Sequence, residues 1–404
     1  MVCGARAWKE VGRWDRLPPW KPDQSESSPE SRFRIMTSAE EVDVLIVGAR
    51  VAGSILATLL GIRGRRVLVV DRATFPSATL STHFFRGSGC GGALERIGVL
   101  EQALATGAPR LTREYNADAL SGDLAIDPPQ DPGEVGFNLS VRRETLDAIL
   151  VERARRESSV DVRERTQLQG LLREGGRVVG ALVRSGEGTS EIRARVVVGA
   201  DGYSSSVARA VGAQVQEAVP AFRVIYYRYA RGLTGPQGNP PDGPEFSLGD
   251  DELLYVFPSD AGTTCVALSA NLRDYALLRG DAEAGFHERV ASHPFVRARA
   301  ERATWSGRLW ACGPRPVEAR VPAGPGWALV GDASMHVDPW SGEGMDNAAV
   351  HATFLADAID DVLAGREDEA DGWATYHRRR DEHGIERMRE NVRLGRDLNQ
   401  LRDD

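Results

Sequence analysis

A chain of 404 residues is long enough for one large α/β domain with a second domain interleaved in it, each with its own core. Its 42% hydrophobic and 27% charged residues are ordinary for a globular protein, and a net charge of −8 argues against nucleic acid or an anionic membrane as partner. The four cysteines are widely spaced and form no CxxC pair, so they predict neither a disulfide framework nor a zinc site. No apolar run reaches the roughly 18 residues that cross a bilayer, and no signal-peptide pattern is present, so we expect a cytoplasmic protein.

Residues 1–38 differ in composition from the rest of the chain. They mix tryptophan with proline and serine, show no hydrophobic periodicity and contain both lysines of the sequence, Lys9 and Lys21. Such a segment cannot build a packed core, so it predicts a disordered extension, with Met36 as a candidate natural start.

Ordered structure is predicted to begin with a βαβ unit. The continuous apolar run 42–47 is typical of a buried parallel strand, an apolar helix follows over 52–62, and a second strand at 67–70 ends on Asp71. The turn between the first strand and the helix has the sequence GARVAG at residues 48–53, a degenerate form of the GxGxxG fingerprint. Taken alone, this motif is also compatible with a generic βα turn.

The fingerprint predicts a dinucleotide site. Gly48 permits the tight turn, Gly53 lets the helix pack close to the sheet, and the helix N-terminus would bind a pyrophosphate. Asp71 is placed to accept hydrogen bonds from the ribose hydroxyls. Arg50 replaces the middle glycine, and it would crowd the pyrophosphate unless its side chain turns away or reaches back as a cation.

The middle of the chain continues with a helix and several short strands. A helical pattern covers 143–157. Strands are predicted at 160–163, 168–172, 177–184 and 192–198. The last strand runs into GADG at 199–202, where Asp201 and Gly202 would by themselves indicate only a turn.

Residues 215–320 predict a sheet-rich second domain. Aromatic, strand-like runs at 222–229 and 253–257 are broken by loops rich in glycine and proline. Tyr227 and Tyr229 would share one face of a strand and could line an aromatic pocket, although core packing is an equally acceptable interpretation.

The chain is then predicted to return to the first domain. A strand at 327–330 ends on Gly331 and Asp332, and the loop PWSGEG at 339–344 leads into a long helix over 344–363 with an apolar stripe.

Three motifs carry a resemblance to a known family: the GARVAG turn at 48–53, the GADG turn at 199–202, and Gly331-Asp332 with the 339–344 loop. In their order and spacing they resemble those of the flavoprotein hydroxylases of the p-hydroxybenzoate-hydroxylase family (group A flavin monooxygenases). The resemblance covers residues 42 to about 395. It implies an α/β fold with a Rossmann-like FAD-binding domain interleaved with a sheet-rich substrate domain. The implied ranges are 39–120, 140–214 and 321–365 for the FAD-binding domain, 121–139 and 215–320 for the substrate domain, and 366–404 for a C-terminal helical segment.

The resemblance also implies cofactor contacts. Asp332 would hold the ribitol chain, and the 339–344 loop would direct a helix N-terminus at the electron-rich end of the isoalloxazine. Arg143, in an Arg-x-x-Leu pattern, would help bind the cofactor, with Arg142 as an adjacent competitor for that role. The expected FAD-binding residues are Gly48, Arg50, Gly53, Asp71, Arg72, Arg143, Asp201, Gly202, Gly331, Asp332, Pro339, Gly342 and Gly344.

Some positions depart from the family pattern. The histidine usually found three residues after the Gly-Asp aspartate falls on Met335, and His336 comes one residue later. The usual asparagine at the start of the long helix falls on Asp346, which we expect to act as the helix N-cap. Cys90 lies between two glycines, and we expect it to be a small residue rather than a flavin attachment point.

The chemistry that the resemblance implies is monooxygenation. NAD(P)H would reduce FAD, O₂ would add to give a flavin hydroperoxide, and this species would hydroxylate or epoxidise an electron-rich small organic molecule, in keeping with secondary metabolism. His83, His336 and Asp338 are the candidate catalytic residues for handling protons. We expect no nucleic acid or membrane partner, no metal, and a monomer or homodimer.

Other flavin chemistries remain open. A reductase of carbon–carbon double bonds resembling geranylgeranyl reductases, or a dehydrogenase, would share the same cofactor motifs. A flavin-binding protein without turnover is a third class. Flavin halogenation requires a catalytic lysine, and because the chain has no lysine after Lys21 and no WxWxIP motif, we expect none.

Overall fold

A computed structural model describes residues 40–117, 124–125, 135–275 and 281–402. The predicted extension 1–38 lies outside the described residues, as does most of 121–134. The strands are β1 (Glu40–Val47), β2 (Val67–Val70), β3 (Phe84–Phe85), β4 (Arg113–Ala117), β5 (Leu124–Ala125), β6 (Leu139–Ser140), β7 (Val160–Arg163), β8 (Gln167–Glu174), β9 (Arg177–Ser185), β10 (Gly188–Gly199), β11 (Val215–Val219), β12 (Arg223–Arg231), β13 (Glu245–Leu248), β14 (Glu252–Pro258), β15 (Thr263–Asn271), β16 (Thr304–Cys312), β17 (Val317–Arg320), β18 (Ala323–Gly324), β19 (Trp327–Leu329) and β20 (Met335–His336). The α-helices are Val51–Ile62, Gly92–Arg96, Leu100–Leu104, Arg143–Arg155, Ser206–Val211, Ala282–Ser292, Pro294–Ala300, Gly344–Leu363 and Glu369–Gly395.

The first sheet has the mainly parallel, Rossmann-like arrangement that the resemblance implies. Its order is β18-β19-β10-β1-β2-β7, and the neighbours from β19 to β7 are parallel, while β9 pairs antiparallel with β10 and β8 with β9. The apolar residues at the end of β1 are buried because helices cover the sheet. Helix Val51–Ile62 is buried along nearly its whole length, since it packs against both Gly344–Leu363 and Arg143–Arg155.

The second sheet is mainly antiparallel. Its order is β16-β12-β15-β14-β13-β4-β5, with one parallel pair between β13 and β4. Alternate residues of its strands point to opposite faces. One face packs on helices Ala282–Ser292 and Pro294–Ala300, and the other carries Tyr227, Tyr255 and Phe257 toward the first domain. The predicted shared face of Tyr227 and Tyr229 is confirmed, since their rings make an edge contact 5.9 Å apart.

A buried arginine joins the C-terminal helix Glu369–Gly395 to this second sheet. The guanidinium of Arg223, on β12, donates hydrogen bonds to Ser269, to Asp251 and to the carbonyl of Gly395. Each guanidinium nitrogen of Arg223 donates at least one hydrogen bond to a polar partner, so the burial of this charge is tolerated. Among the described helices, none has a stretch long and apolar enough to cross a bilayer.

Candidate active site

The glycines of the GARVAG turn allow three chain segments to meet. Gly48 has φ = +108°, and a Cβ there would overlap the carbonyl oxygen of Ala200, directly after β10. A Cβ on Gly53 would overlap the carbonyl oxygen of Gly48. The turn, the helix that follows it and the GADG turn therefore lie in direct contact, and only glycine fits at either position.

The turn presents an anion-binding helix start. Helix Val51–Ile62 begins without a side-chain cap and has no acidic residue in its first turn, so its first N–H groups point out of the helix with the positive end of its dipole. Asp71 lies beside this turn, where its carboxylate accepts hydrogen bonds from the backbone N–H groups of Ala49 and Ala73, both 2.8 Å long. Arg72, the next residue, is exposed.

The side chain of Arg50 turns away from the glycine turn. Its guanidinium donates to Asp147 and to the hydroxyl and carbonyl of Ser77. Asp147 is fully buried and is shared with Arg143, whose Nε lies 2.9 Å from its Oδ1. Two guanidiniums and one carboxylate leave a net positive charge near the helix start. Arg142 instead pairs with Asp260 at 2.9 Å, so it does not compete with Arg143 for this position.

The Gly331-Asp332 turn lies between two helix starts. Gly331 has φ = +63°, and a Cβ there would lie 3.2 Å from the Cβ of Ala52 and 3.6 Å from that of Ala348. Helix Gly344–Leu363 also begins without a side-chain cap. Two helix N-termini without a side-chain cap therefore lie near this turn, and the charge of Asp346 in the first turn of the second helix is offset by its pairing with Arg86. This arrangement favours a ligand with negative charge.

The loop before the long helix is held firmly. The Asp338 carboxylate accepts a hydrogen bond from the N–H of Trp340 at 3.0 Å, and burial raises the pKa of this carboxyl group. The Tyr255 hydroxyl donates to the Trp340 carbonyl at 2.6 Å, and the Trp340 indole donates to Asn391 at 2.9 Å. Asp338 is thus the cap of the short 3₁₀ turn Pro339–Ser341.

Asp346 does not cap the long helix, contrary to the sequence-based expectation. Glu343 occupies the N-cap position, and Asp346 lies within the first turn. Its buried carboxylate accepts hydrogen bonds from the N–H groups of Cys90 and Arg86, at 2.9 and 3.1 Å, and pairs with the Arg86 guanidinium. A Cβ on Gly89 would overlap this carboxylate, which explains the glycine-rich sequence there. Burial raises the pKa of the Cys90 thiol, so the thiol stays protonated at neutral pH and is a weak nucleophile.

His83 is a buried, neutral histidine in a left-handed backbone conformation, with φ = +69°. Its Nδ1 accepts a hydrogen bond from the N–H of Arg143 at 3.3 Å, so Nε2 carries the proton that faces the Tyr229 hydroxyl. Burial, helped by Arg143, lowers the pKa of His83 to about 3.

His336 and Asp201 have partners that account for their positions. The Nδ1 of His336 donates to the carbonyl of Pro316 at 2.8 Å, and its ring packs on Tyr203 with centroids 4.6 Å apart. The Asp201 carboxylate accepts hydrogen bonds from Ser205 and Ser206 at the start of helix Ser206–Val211. Gly202 has φ = +78° within this turn.

A cavity of about 280 Å³ opens between the second sheet and the loop before the long helix. Its wall is aromatic and aliphatic, formed by Phe84, Phe246, Leu248, Leu253, Tyr255, Phe257, Trp340 and Leu401. Its polar lining includes Arg86, Glu114, Asn116, Glu343 and Asn391. His83, His336 and Asp338 are not among the lining residues. His336 and Asp338 interact electrostatically with each other, whereas His83 has Tyr229 and Arg143 as its partners. The hydrogen bonds described above involve different partners for each.

The comparisons with known proteins agree with this geometry. Residues 41–228 match the FAD binding domain family. The protein is an FAD-dependent oxidoreductase. Its glycine turns, the uncapped start of helix Val51–Ile62 and the paired arginines Arg50 and Arg143 fit the pyrophosphate of FAD.

The proteins that this oxidoreductase resembles are named for different reactions. It is 24% identical over 336 residues to the digeranylgeranylglycerophospholipid reductase of Thermoplasma volcanium, covering 80% of this chain and 79% of that one. It is 27% identical over 373 residues to the kynurenine 3-monooxygenase of Salinispora arenicola, covering 84% and 76% of the two chains. The myxobacterial chondrochloren halogenase, an FAD-dependent enzyme, shares the fold with a TM-score of 0.77 and 25% identity, over 86% of this chain and 80% of that one.

Sequence reasoning did not identify two residues of the candidate site. Asp147 lies one helical turn after Arg143, and the i,i+4 spacing of these two residues in the sequence could have predicted their ion pair. Glu114 lies on β4, where no motif marks it, and only the folded sheet brings it to the cavity.

Proposed function

We propose that this protein is an FAD-dependent monooxygenase that hydroxylates or epoxidises a small, electron-rich organic molecule. NADH or NADPH would be the transient reductant and O₂ the co-substrate. The observation that supports this most is the aromatic cavity of about 280 Å³ beside the start of helix Gly344–Leu363, because that helix start is where the flavin ring is expected. Its volume lies just below the ~300–1,000 Å³ typical of small-molecule sites.

The residues of this chain would bind and orient the cofactor. The start of helix Val51–Ile62, with Arg50 and Arg143 nearby, would bind the pyrophosphate, and Asp71 the ribose. Asp332 would hold the ribitol chain. Bound FAD would supply the activation of O₂, and the N-terminus of helix Gly344–Leu363 would stabilise negative charge on the ring.

The protein residues near the substrate would exclude water and fix its orientation. The aromatic wall formed by Tyr255, Phe257 and Trp340 would shield the reacting atoms. We propose positioning roles for the three candidate histidine and aspartate residues. His83 would orient Tyr229, Asp338 would hold the Trp340 loop, and His336 would hold Tyr203 beside the Gly331-Asp332 turn.

A carbon–carbon double-bond reductase is the second candidate. The likeness to digeranylgeranylglycerophospholipid reductases, over about four fifths of both chains, favours it. The cavity argues against a substrate with two long isoprenoid chains, since its volume suits one or two rings. Halogenation is not proposed, because the chain has no lysine after Lys21.

We further propose that the FAD-binding domain comprises 39–120, 140–214 and 321–365, apart from β4, which pairs with β13 in the second sheet. The substrate domain would comprise 121–139 and 215–320. The C-terminal helical segment 366–404 would close the site through Asn391 and Leu401, which line the cavity. A cytoplasmic monomer or homodimer in secondary metabolism is the setting that we propose.

Product analysis under ¹⁸O₂ tests the reaction class. The purified FAD-loaded protein would be incubated with NADH or NADPH and a panel of compact phenols, arylamines and alkenes. A product that gains one ¹⁸O atom supports monooxygenation. An alkene that gains two hydrogens under anaerobic conditions, with no labelled product in air, would instead identify a reductase.

A further inference from the structure

The cavity contains three polar side chains that lie close together on its wall. Glu114 and Asn116 are two residues apart on β4, so they point to the same side of the strand, and Asn116 donates a side-chain hydrogen bond to Glu114. Arg86 also lines the cavity and interacts electrostatically with Glu114. Burial raises the pKa of Glu114 above its usual range.

The other charged groups of the cavity already have strong partners. The Glu343 carboxylate accepts a hydrogen bond from the Asn391 amide at 2.7 Å. The Arg86 guanidinium pairs with the buried carboxylate of Asp346 at 3.1 Å. Glu114 is half-buried and accepts a side-chain hydrogen bond from the Asn116 amide, so its carboxylate retains further acceptor capacity toward the cavity.

The charges of the lining disfavour an anionic ligand. Glu114 and Glu343 contribute two carboxylates, and the charge of Arg86 is offset by Asp346. A ligand carboxylate would therefore be repelled, whereas an uncharged ring that carries a hydrogen-bond donor would meet an acceptor in an aromatic pocket.

We propose that Glu114 is the specificity-determining residue of this site, and that it accepts a hydrogen bond from the hydroxyl or amino group of a compact, uncharged phenol or arylamine. This inference rests on the proposed monooxygenase function for its biological meaning, because such rings are electron-rich substrates. The binding itself requires no turnover, so it is tested separately.

Calorimetric titration of the FAD-loaded protein with three matched probes tests this proposal. The probes are 4-ethylphenol, its methyl ether 4-ethylanisole, and 4-ethylbenzoate at slightly alkaline pH. All three probes share the aromatic ring and the ethyl group. The phenol has a hydrogen-bond donor, the ether has none, and the benzoate carries a negative charge. We expect 4-ethylphenol to bind at least about tenfold more tightly than the ether, the size of one charge-assisted hydrogen bond, and 4-ethylbenzoate to bind more weakly than the phenol.

The Glu114→Gln variant provides the decisive comparison. It keeps the shape of the side chain but removes the charge, so the preference for the phenol over the ether should shrink to threefold or less. Glu101→Gln, which changes an exposed carboxylate outside the cavity, should retain the full preference. A preference that persists in Glu114→Gln, tighter binding of the benzoate, or no binding of any probe to the wild-type protein would each overturn the assignment. If the binding pattern holds but no ¹⁸O enters any product, the proposed reaction fails while the ligand class stands.

Discussion

The rings of His83 and Tyr229 stack with their centroids 5.6 Å apart and an interplanar angle of 11°, and the Nε2 of His83 faces the Tyr229 hydroxyl. The two residues are 146 positions apart in the chain. His83 follows the βαβ unit of the first domain, and Tyr229 lies on β12 of the second sheet. This contact therefore joins the segment after the βαβ unit to the second sheet through a neutral histidine.

The neutral state of His83 predicts an acid-dependent loss of stability. The pKa of His83 is about 3 in the folded protein and about 6.5 when unfolded, so below pH 6.5 the unfolded chain binds a proton that the folded chain does not. Stability falls as the pH drops toward 3. Between pH 7.5 and pH 5, His83 should account for about 2 kcal/mol of this loss. The test is urea unfolding at both pH values of the wild type and of His83→Asn, since asparagine tolerates the positive φ. The pH-dependent loss of unfolding free energy should be smaller in the variant. Equal pH dependence in both proteins would contradict the assignment.

A side chain at Gly48, in the fingerprint turn, should destabilise the protein by steric overlap, and Gly202 provides a matched control. Gly48→Ala adds a Cβ that overlaps the Ala200 carbonyl at φ = +108°, so it should cost about 3 kcal/mol or more and reduce FAD content. Gly202→Ala, at φ = +78° with open space around it, should cost only about 1–2 kcal/mol for its backbone conformation. Thermal unfolding and the flavin absorbance of the purified variants give both values. Equal losses would show that the close approach at Gly48 is unimportant.

Two aspartates in similar Gly/Asp turns should behave differently. Asp332→Ala should strip FAD from the purified protein, because Asp332 lies where two helix starts converge. Asp201→Ala removes the hydrogen bonds to Ser205 and Ser206, so we expect a stability loss of about 0.5–2 kcal/mol with most FAD retained. Flavin-to-protein absorbance ratios distinguish the two. Full flavin content in Asp332→Ala would contradict its proposed role.

The shared carboxylate of Asp147 predicts a coupled loss. Asp147→Asn leaves Arg50 and Arg143 without their common counter-charge, and because Asp147 is fully buried, we expect about 2–4 kcal/mol of destabilisation. Asp161→Asn, on an exposed pair with Arg163, is the matched control and should change stability by less than about 1 kcal/mol. Urea unfolding measures the stability of both variants. An Asp147→Asn variant as stable as the wild type would show that the positions of Arg50 and Arg143 do not depend on this carboxylate.

The sequence predicted the elements of the site better than the contacts between them. The βαβ unit and helix Gly344–Leu363 follow from hydrophobic periodicity, which is a local property of the chain. The partner of Arg50 could not be predicted, since Asp147 is 97 residues away and nothing in the motif selects it. Asp346 was expected to cap its own helix, but tertiary packing turned its carboxylate to the 86–90 loop. Glu114 was missed because its neighbours in the cavity come from β3, β14 and the 339–344 loop.

The monooxygenase proposal is tested most directly by the reaction of the reduced protein with oxygen. The purified yellow protein would be reduced anaerobically and mixed with oxygenated buffer in a stopped-flow spectrometer, with and without compact phenols. We predict a transient absorbance in the near ultraviolet before the oxidised spectrum returns. A direct return to the oxidised spectrum, with every phenol present, would contradict the account and favour the double-bond reductase.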